Sequence, residues 1–199
     1  MSEAAGLQPS SQIQASIRTV AVIGAGVAGR SFALACAAAG LYVVLEDVMP
    51  AKLRRAEEEY AYASLRGAFG EMELASTVED AVREADIAID FVPDELESKL
   101  EIFSMIDRMA PPKTILCTPS YGLSITDLAS CVYRPERCVA VRGELVGAGS
   151  AVRLLYPAAA AEATIAGVGS FLRALGLQVQ AEADPDVPVL MKNAERTVV

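Results

Sequence analysis

Three glycines, Gly24, Gly26 and Gly29, stand at the spacing G-x-G-x-x-G directly after the apolar run TVAVI, and Asp47 follows eighteen residues beyond the last of them. Each position has a physical use. Gly24 permits a tight turn, Gly26 lets the loop backbone approach a pyrophosphate, and Gly29 lets a following helix pack closely on the strand. A helix opening there aims its unpaired N–H groups and the positive end of its dipole at phosphates, with Ala25, Val27 and Ala28 completing the cradle. A carboxylate at the end of the second strand accepts hydrogen bonds from adenosine ribose hydroxyls and repels a 2′-phosphate, so Asp47 points to NAD in preference to NADP. Asp47 can instead cap the helix that starts after Pro50, an alternative that leaves the glycines unexplained.

The elements that must position these residues are legible as short β-branched runs alternating with Ala/Leu-rich helical stretches. The pattern predicts strands over residues 19–23, 42–45, 87–91, 114–117, 138–141, 152–156 and 178–181. It predicts helices over 28–39, 51–65, 78–83, 96–109, 125–130 and 161–175. Gly40, Pro111-Pro112 and Gly176 fall where three of these helices should stop. The fold class implied is α/β, a doubly wound, mostly parallel sheet of Rossmann type in a single domain spanning 18–183. Residues 1–17 read as a flexible polar leader, and 184–199 as a tail whose segment VPVLM covers the sheet, pairs with a second copy or docks on a partner.

Composition excludes several functions. A net charge of −9 without a basic cluster argues against nucleic acid. The four cysteines, Cys36, Cys117, Cys131 and Cys138, lack C-x-x-C spacing, and the chain has no histidine, so no metal site is expected. They read as buried free thiols of a cytoplasmic protein. No export signal opens the chain, and the glycines within 20–45 break the one stretch apolar enough to suggest a membrane span. In the run KLRRAEEEY, Arg54 with Glu58 and Arg55 with Glu59 have helical i, i+4 spacing and read as a solvated face.

Several further motifs occur in a fixed order: ADIAIDFVPDELESKLEIF, TPSYGLSITDLA, RPERCVAV and PVLMKN. With VAVIGAGVAGRSFALACAAAG and YVVLEDVMP, they resemble the N-terminal NAD-binding domain of the 3-hydroxyacyl-CoA dehydrogenase family, over about residues 18–193. The resemblance implies that Gly24, Gly26, Gly29 and Asp47 hold the dinucleotide. Pro93 shapes the loop beside the nicotinamide, and Asp94 and Lys99 stand where the family has a Glu and a Lys at that end of the cofactor. Ser120 and Asn193 fall in segments that approach the substrate.

The same resemblance exposes a gap. The family's acid/base His falls on Arg142, the Glu that orients it on Leu154, and the substrate-binding Ser of its N-T-S-S loop on Tyr121. Oxidising an alcohol by hydride transfer also requires its O–H proton to leave. A guanidinium stays protonated at ordinary pH, so Arg142 can polarise a carbonyl or clamp an anion but cannot shuttle the proton. Tyr121 is the best remaining acid, provided that a cation such as Arg142 lowers its pKa. The family's long helical hairpin after the second strand has no counterpart in length here. Its helical C-terminal domain, with much of the substrate pocket and dimer contact, does not follow in this sequence. The expectation is an NAD-dependent oxidoreductase acting on an acyl-CoA or other carbonyl substrate, its site altered or completed by a partner: a homodimer or a separate helical-domain chain. The alternative is a catalytically silent NAD-binding sensor or scaffold.

Overall fold

A computed structural model describes residues 17–67 and 69–185. The runs rich in Val, Ile and Leu form the inner strands of one sheet: β1 (Thr19–Ile23), β2 (Tyr42–Glu46), β4 (Ile87–Asp90), β5 (Ile115–Pro119) and β6 (Cys138–Arg142). Together with β3 (Met72–Ala75), β7 (Ala151–Tyr156) and β8 (Gln178–Ala183) they lie in the order β3-β2-β1-β4-β5-β6-β7-β8. All neighbouring pairs are parallel except β6 with β7. Among the described residues six α-helices connect them: α1 (Val27–Ala38), α2 (Pro50–Ser64), α3 (Val78–Val82), α4 (Leu96–Met109), α5 (Ile125–Ala129) and α6 (Glu162–Ala174).

The central strands are buried on both faces, as parallel strands covered by helices must be. One core layer centres on Phe32, Val139, Leu154 and Phe171. The other centres on Phe103, Ile106, Leu116 and Leu128. Gly40 and Gly176, at φ +82° and +86°, take the left-handed turns that end α1 and α6.

The sequence pattern did not reveal β3. Met-Glu-Leu-Ala carries no β-branched residue, and the segment pairs with β2 alone at the sheet margin, so its strand conformation comes from that partner. A turn of 3₁₀ helix at Pro135–Arg137 also went unread.

The topology creates the site. Ile23 is in register with Glu46 on one side and Asp90 on the other, so the chain leaves β1, β2 and β4 at one level. Because the connections from β1 and β4 run to opposite sides, a crevice opens between them at the carboxyl edge, where open α/β sheets take ligands.

Candidate dinucleotide-binding site

Gly24 turns the chain out of β1 at φ +101°, and its N–H donates to the Glu46 carbonyl at 2.8 Å. A Cβ on Gly29 would overlap the Gly24 carbonyl oxygen, so α1 rides directly on the turn only because residue 29 has no side chain. Gly26 caps α1 with no side-chain hydrogen bond, and the first turn carries no acidic residue. The first intrahelical bond at this end runs from Arg30 N–H to Gly26 O, leaving the N–H groups of Val27, Ala28 and Gly29 ahead of it for an anion. These features fit a pyrophosphate.

Asp47 is buried beside this loop. Its Oδ2 accepts from Ala25 N–H at 2.9 Å and from Lys52 Nζ at 3.0 Å, and its Oδ1 accepts from Met49 N–H at 2.9 Å. Burial pushes this carboxyl up, but the bonds from Met49, Lys52 and Ala25 and the Lys52 charge outweigh it and hold the pKa below the ordinary value. Asp47 thus braces the start of α2 through Met49 and also lines the crevice. Ala25 is fully buried and its amide is taken by Asp47, so its part is to hold that carboxylate.

Two residues that sequence reasoning missed support the loop. Arg30, 5% exposed, donates from Nη1 to Ala25 O at 2.8 Å and pairs through Nε with Glu59 at 3.1 Å. Glu59 also takes Arg55 at 3.0 Å, as expected, but no ion pair joins Arg54 to Glu58 among the described residues. The face expected to be merely solvated thus carries the anchor of a loop-bracing arginine. The only signal was a charged residue immediately after the last glycine.

Two cavities lie along the carboxyl edge. One, of about 690 Å³, is lined by Gly24, Gly26, Asp47, Lys52, Pro93 and Glu46. Pro93 thus faces the Asp47 side of the crevice and does not line the cavity where Lys99 lies. The other, of about 570 Å³, is lined by Ala28, Asp94, Lys99, Ser120, Tyr121 and Gly143, among others. Lys99 is 1% exposed. Its Nζ donates to Asp90 Oδ1 at 2.6 Å and to Pro119 O at 3.1 Å. Asp90 is fully buried, and burial pushes its carboxyl pKa up against the opposing pull of Lys99.

Asp94 accepts the Tyr121 N–H at 2.9 Å and so ties the β4 loop to the β5 loop. Ser120 is buried, and its Oγ accepts from Leu123 N–H at 3.0 Å. Tyr121 is 78% exposed, and Arg142 donates from Nη2 to Leu123 O at 3.2 Å. No hydrogen bond joins the Tyr121 hydroxyl to Arg142 among the described residues, so the tuned pair expected from sequence is not preassembled. Asn193 lies outside the described residues. Three cysteines are buried, and burial pushes their thiols up; Cys131 is exposed, contrary to expectation, because it follows the short α5 at the surface.

Residues 19–142 match the model of the 3-hydroxyacyl-CoA dehydrogenase NAD-binding domain. The chain belongs to this family. Its nucleotide is NAD, and its fold is that of Rossmann dehydrogenases. A probable 3-hydroxybutyryl-CoA dehydrogenase of Bacillus subtilis is 35% identical over 136 residues, 62% of this chain and 47% of that protein. A 5-formyl-3-hydroxy-2-methylpyridine 4-carboxylate 5-dehydrogenase of Mesorhizobium japonicum is 28% identical over 188 residues, 89% of this chain and 60% of that protein. Among solved structures, an NAD-dependent dismutase of the latter type superposes with a TM-score of 0.73 at 26% identity, covering 92% of this chain and 67% of that one. The (S)-3-hydroxybutyryl-CoA dehydrogenase of Ralstonia eutropha gives 0.73 at 25% identity, covering 85% and 64%. The chain therefore spans about half the length of the first of these relatives. Among the described residues no helix is long and apolar enough to cross a membrane.

Proposed function

We propose that this chain is the nucleotide-binding part of a cytoplasmic NAD-dependent oxidoreductase acting on a hydroxyacyl, oxoacyl or related carbonyl substrate. The observation that carries the reading is a pair of adjoining cavities whose walls share Phe91 and Val92: a glycine cradle and Asp47 in one, and Asp94, Lys99 and Tyr121 in the other. In this reading the amides of Gly26, Val27, Ala28 and Gly29 take the pyrophosphate and Asp47 takes the adenosine ribose. Asp94 and Lys99 frame the nicotinamide end, Pro93 shapes the wall on the Asp47 side, and Ser120 approaches the substrate. When bound, NAD supplies the hydride acceptor or donor. The chain's own task is then to orient the carbonyl and move one proton. Arg142 polarises or anchors, and Tyr121 is the candidate acid. An acyl-CoA is one substrate class. A relative that matches 89% of this chain is named for a formylpyridine carboxylate, which extends the proposed range beyond thioesters. A homodimer or a helical-domain partner completes the pocket.

Titration of the purified protein with NADH and NADPH, following nicotinamide fluorescence, tests the reading together with an Asp47→Ala variant. NADH should bind more tightly than NADPH, and the substitution should weaken NADH binding at least tenfold. Failure of both nucleotides to bind would refute it. A panel of 3-oxoacyl-CoA thioesters and free oxo acids then tests turnover.

A second reading, a catalytically silent NAD-binding sensor or scaffold, is favoured by one feature: Tyr121 is largely exposed and Arg142 is bonded to a main-chain carbonyl. It predicts NADH binding with a changed oligomeric state and no hydride transfer.

A further inference from the structure

We infer that Arg142 and Arg153 form an oxyanion site, built to anchor the carboxylate of a small oxo or hydroxy acid beside the nicotinamide cavity. The inference names the substrate class within the oxidoreductase reading and rests on it only for the reaction, not for the binding.

The two arginines are direct partners across the one antiparallel pair of the sheet, Arg142 on β6 opposite Arg153 on β7. Facing residues of such a pair bring their Cβ atoms to within about 5 Å on the same face, where two like charges repel. The next partner along the row, Gln180 on β8 opposite Arg153, adds an amide and no compensating charge. Two cations side by side are a poor choice for stability alone and an apt one for holding an anion.

The surroundings agree. A cavity of about 660 Å³ is lined by Arg142, Arg153, Gln178, Gln180, Tyr121 and Gly143, among others, and none of its lining residues is a carboxylate. That exclusion stands out in a chain with 26 acidic residues and a net charge of −9. Glu182 reaches Arg153 from one side, at 3.1 Å between partly exposed groups. Arg142 has no carboxylate partner among the described residues. Its single hydrogen bond goes to Leu123 O, and its Nε is buried without any partner. A guanidinium so under-bonded can turn to meet an oxyanion in the cavity, which would satisfy the N–H groups the fold leaves unpaired.

The location supplies the specificity. Tyr121 and Gly143 line this cavity and also the one holding Lys99 and Asp94. An acid held at Arg142 and Arg153 therefore projects its carbonyl past Tyr121 toward the nicotinamide end. A carboxylate-bearing substrate reaches both places at once, whereas its neutral ester loses the anchor.

The test is binding, measured by calorimetry on the NADH-loaded protein. Its ligands are free 2-, 3- and 4-oxo monocarboxylic acids of four to six carbons, their methyl esters, and inorganic phosphate. At least one acid should bind, with its ester and phosphate each at least tenfold weaker. Arg142→Gln should weaken that acid roughly 10- to 100-fold, as loss of a charge-assisted bidentate contact does. Arg142→Lys should fall between, and Arg153→Gln should cost less because that residue is shared with Glu182. Cooperative thermal unfolding of each variant shows that it is folded. The inference is overturned if no acid binds, if acid and ester bind alike, if phosphate binds as tightly as the acids, or if a folded Arg142→Gln variant keeps full affinity. An acid that binds through Arg142 without any NADH oxidation leaves this site standing and removes the oxidoreductase reading. Turnover of acids and esters at equal efficiency does the reverse.

Discussion

Replacing Glu46 by Gln should stabilise this protein at neutral and alkaline pH and do little in mild acid. Glu46 is 4% exposed at the end of β2 and lines the same cavity as Asp47. Burial first, and then the Asp47 charge, push its carboxyl from 4.5 to about 7, while Lys52 pulls weakly the other way. The folded state thus holds the Glu46 proton more tightly than the unfolded state does. Below 4.5 both states are protonated and nothing is lost. Between 4.5 and about 7 the unfolded chain is ionised while the folded one is not, so stability falls as pH rises. Above about 7 both are ionised and the full penalty remains. At about 1.4 kcal/mol per tenfold change in proton affinity, the penalty is about 3 kcal/mol. Glu46→Gln removes this titration. Urea unfolding of both proteins should therefore show an advantage for the variant of about 1 kcal/mol or less at pH 5, widening to about 3 kcal/mol at pH 8. The latter displaces the midpoint by about 1 M. Parallel pH profiles, with a constant gap from pH 5 to pH 8, would refute the reasoning.

Gly29→Ala should force α1 off the turn, because its Cβ overlaps the Gly24 carbonyl; the expected cost is about 1–3 kcal/mol, seen as a lower Tm, with NADH affinity reduced at least tenfold. Lys99→Met leaves Asp90 buried without its counter-ion and should cost about 3–5 kcal/mol in urea unfolding, most of it recovered by adding Asp90→Asn. Failure of the double variant to recover would show that Lys99 acts mainly through packing. Lys52→Ala removes the only cation paired with Asp47 among the described residues, which is also the group best placed to meet a 2′-phosphate. The preference for NADH over NADPH should widen several-fold in fluorescence titrations, and an unchanged ratio would place Lys52 outside nucleotide recognition.

The helices and inner strands were legible because their residues are dictated by burial. β1 and α4 fall where the apolar pattern predicts them, and other boundaries shift by one or two residues where a strand continues into polar chain, as β2 does into Glu46 and β8 into Glu182 and Ala183. β3 was not legible because only its neighbour makes it a strand. At the site, the glycines and Asp47 announce themselves by backbone requirements that few other residues meet. Arg30 and Glu59 do not, since a charged pair 29 positions apart in sequence leaves no periodic trace. Nor does LED reveal that its two acids sit in different environments, Asp47 held by three donors and Glu46 raised by burial.

The same distinction separates binding from chemistry. A dinucleotide is held largely by main-chain amides and one carboxylate, so a fold that keeps its turn and its glycines keeps the site. Proton transfer instead needs one side chain of suitable acidity at one place, and a single replacement removes it. The titratable groups that line the Lys99 cavity are Asp94, Lys99, Tyr121 and Glu144. Lys99 is sealed against Asp90, and Asp94 is engaged by the Tyr121 amide. Glu144 and Tyr121 are both exposed. For the proposed reaction, the proton must therefore travel through a group that only a bound substrate or a covering partner can shield from water. In the proposed reaction the acid role falls to Tyr121, which lines both cavities, and Arg142, in the neighbouring cavity, is left to hold the substrate's charge.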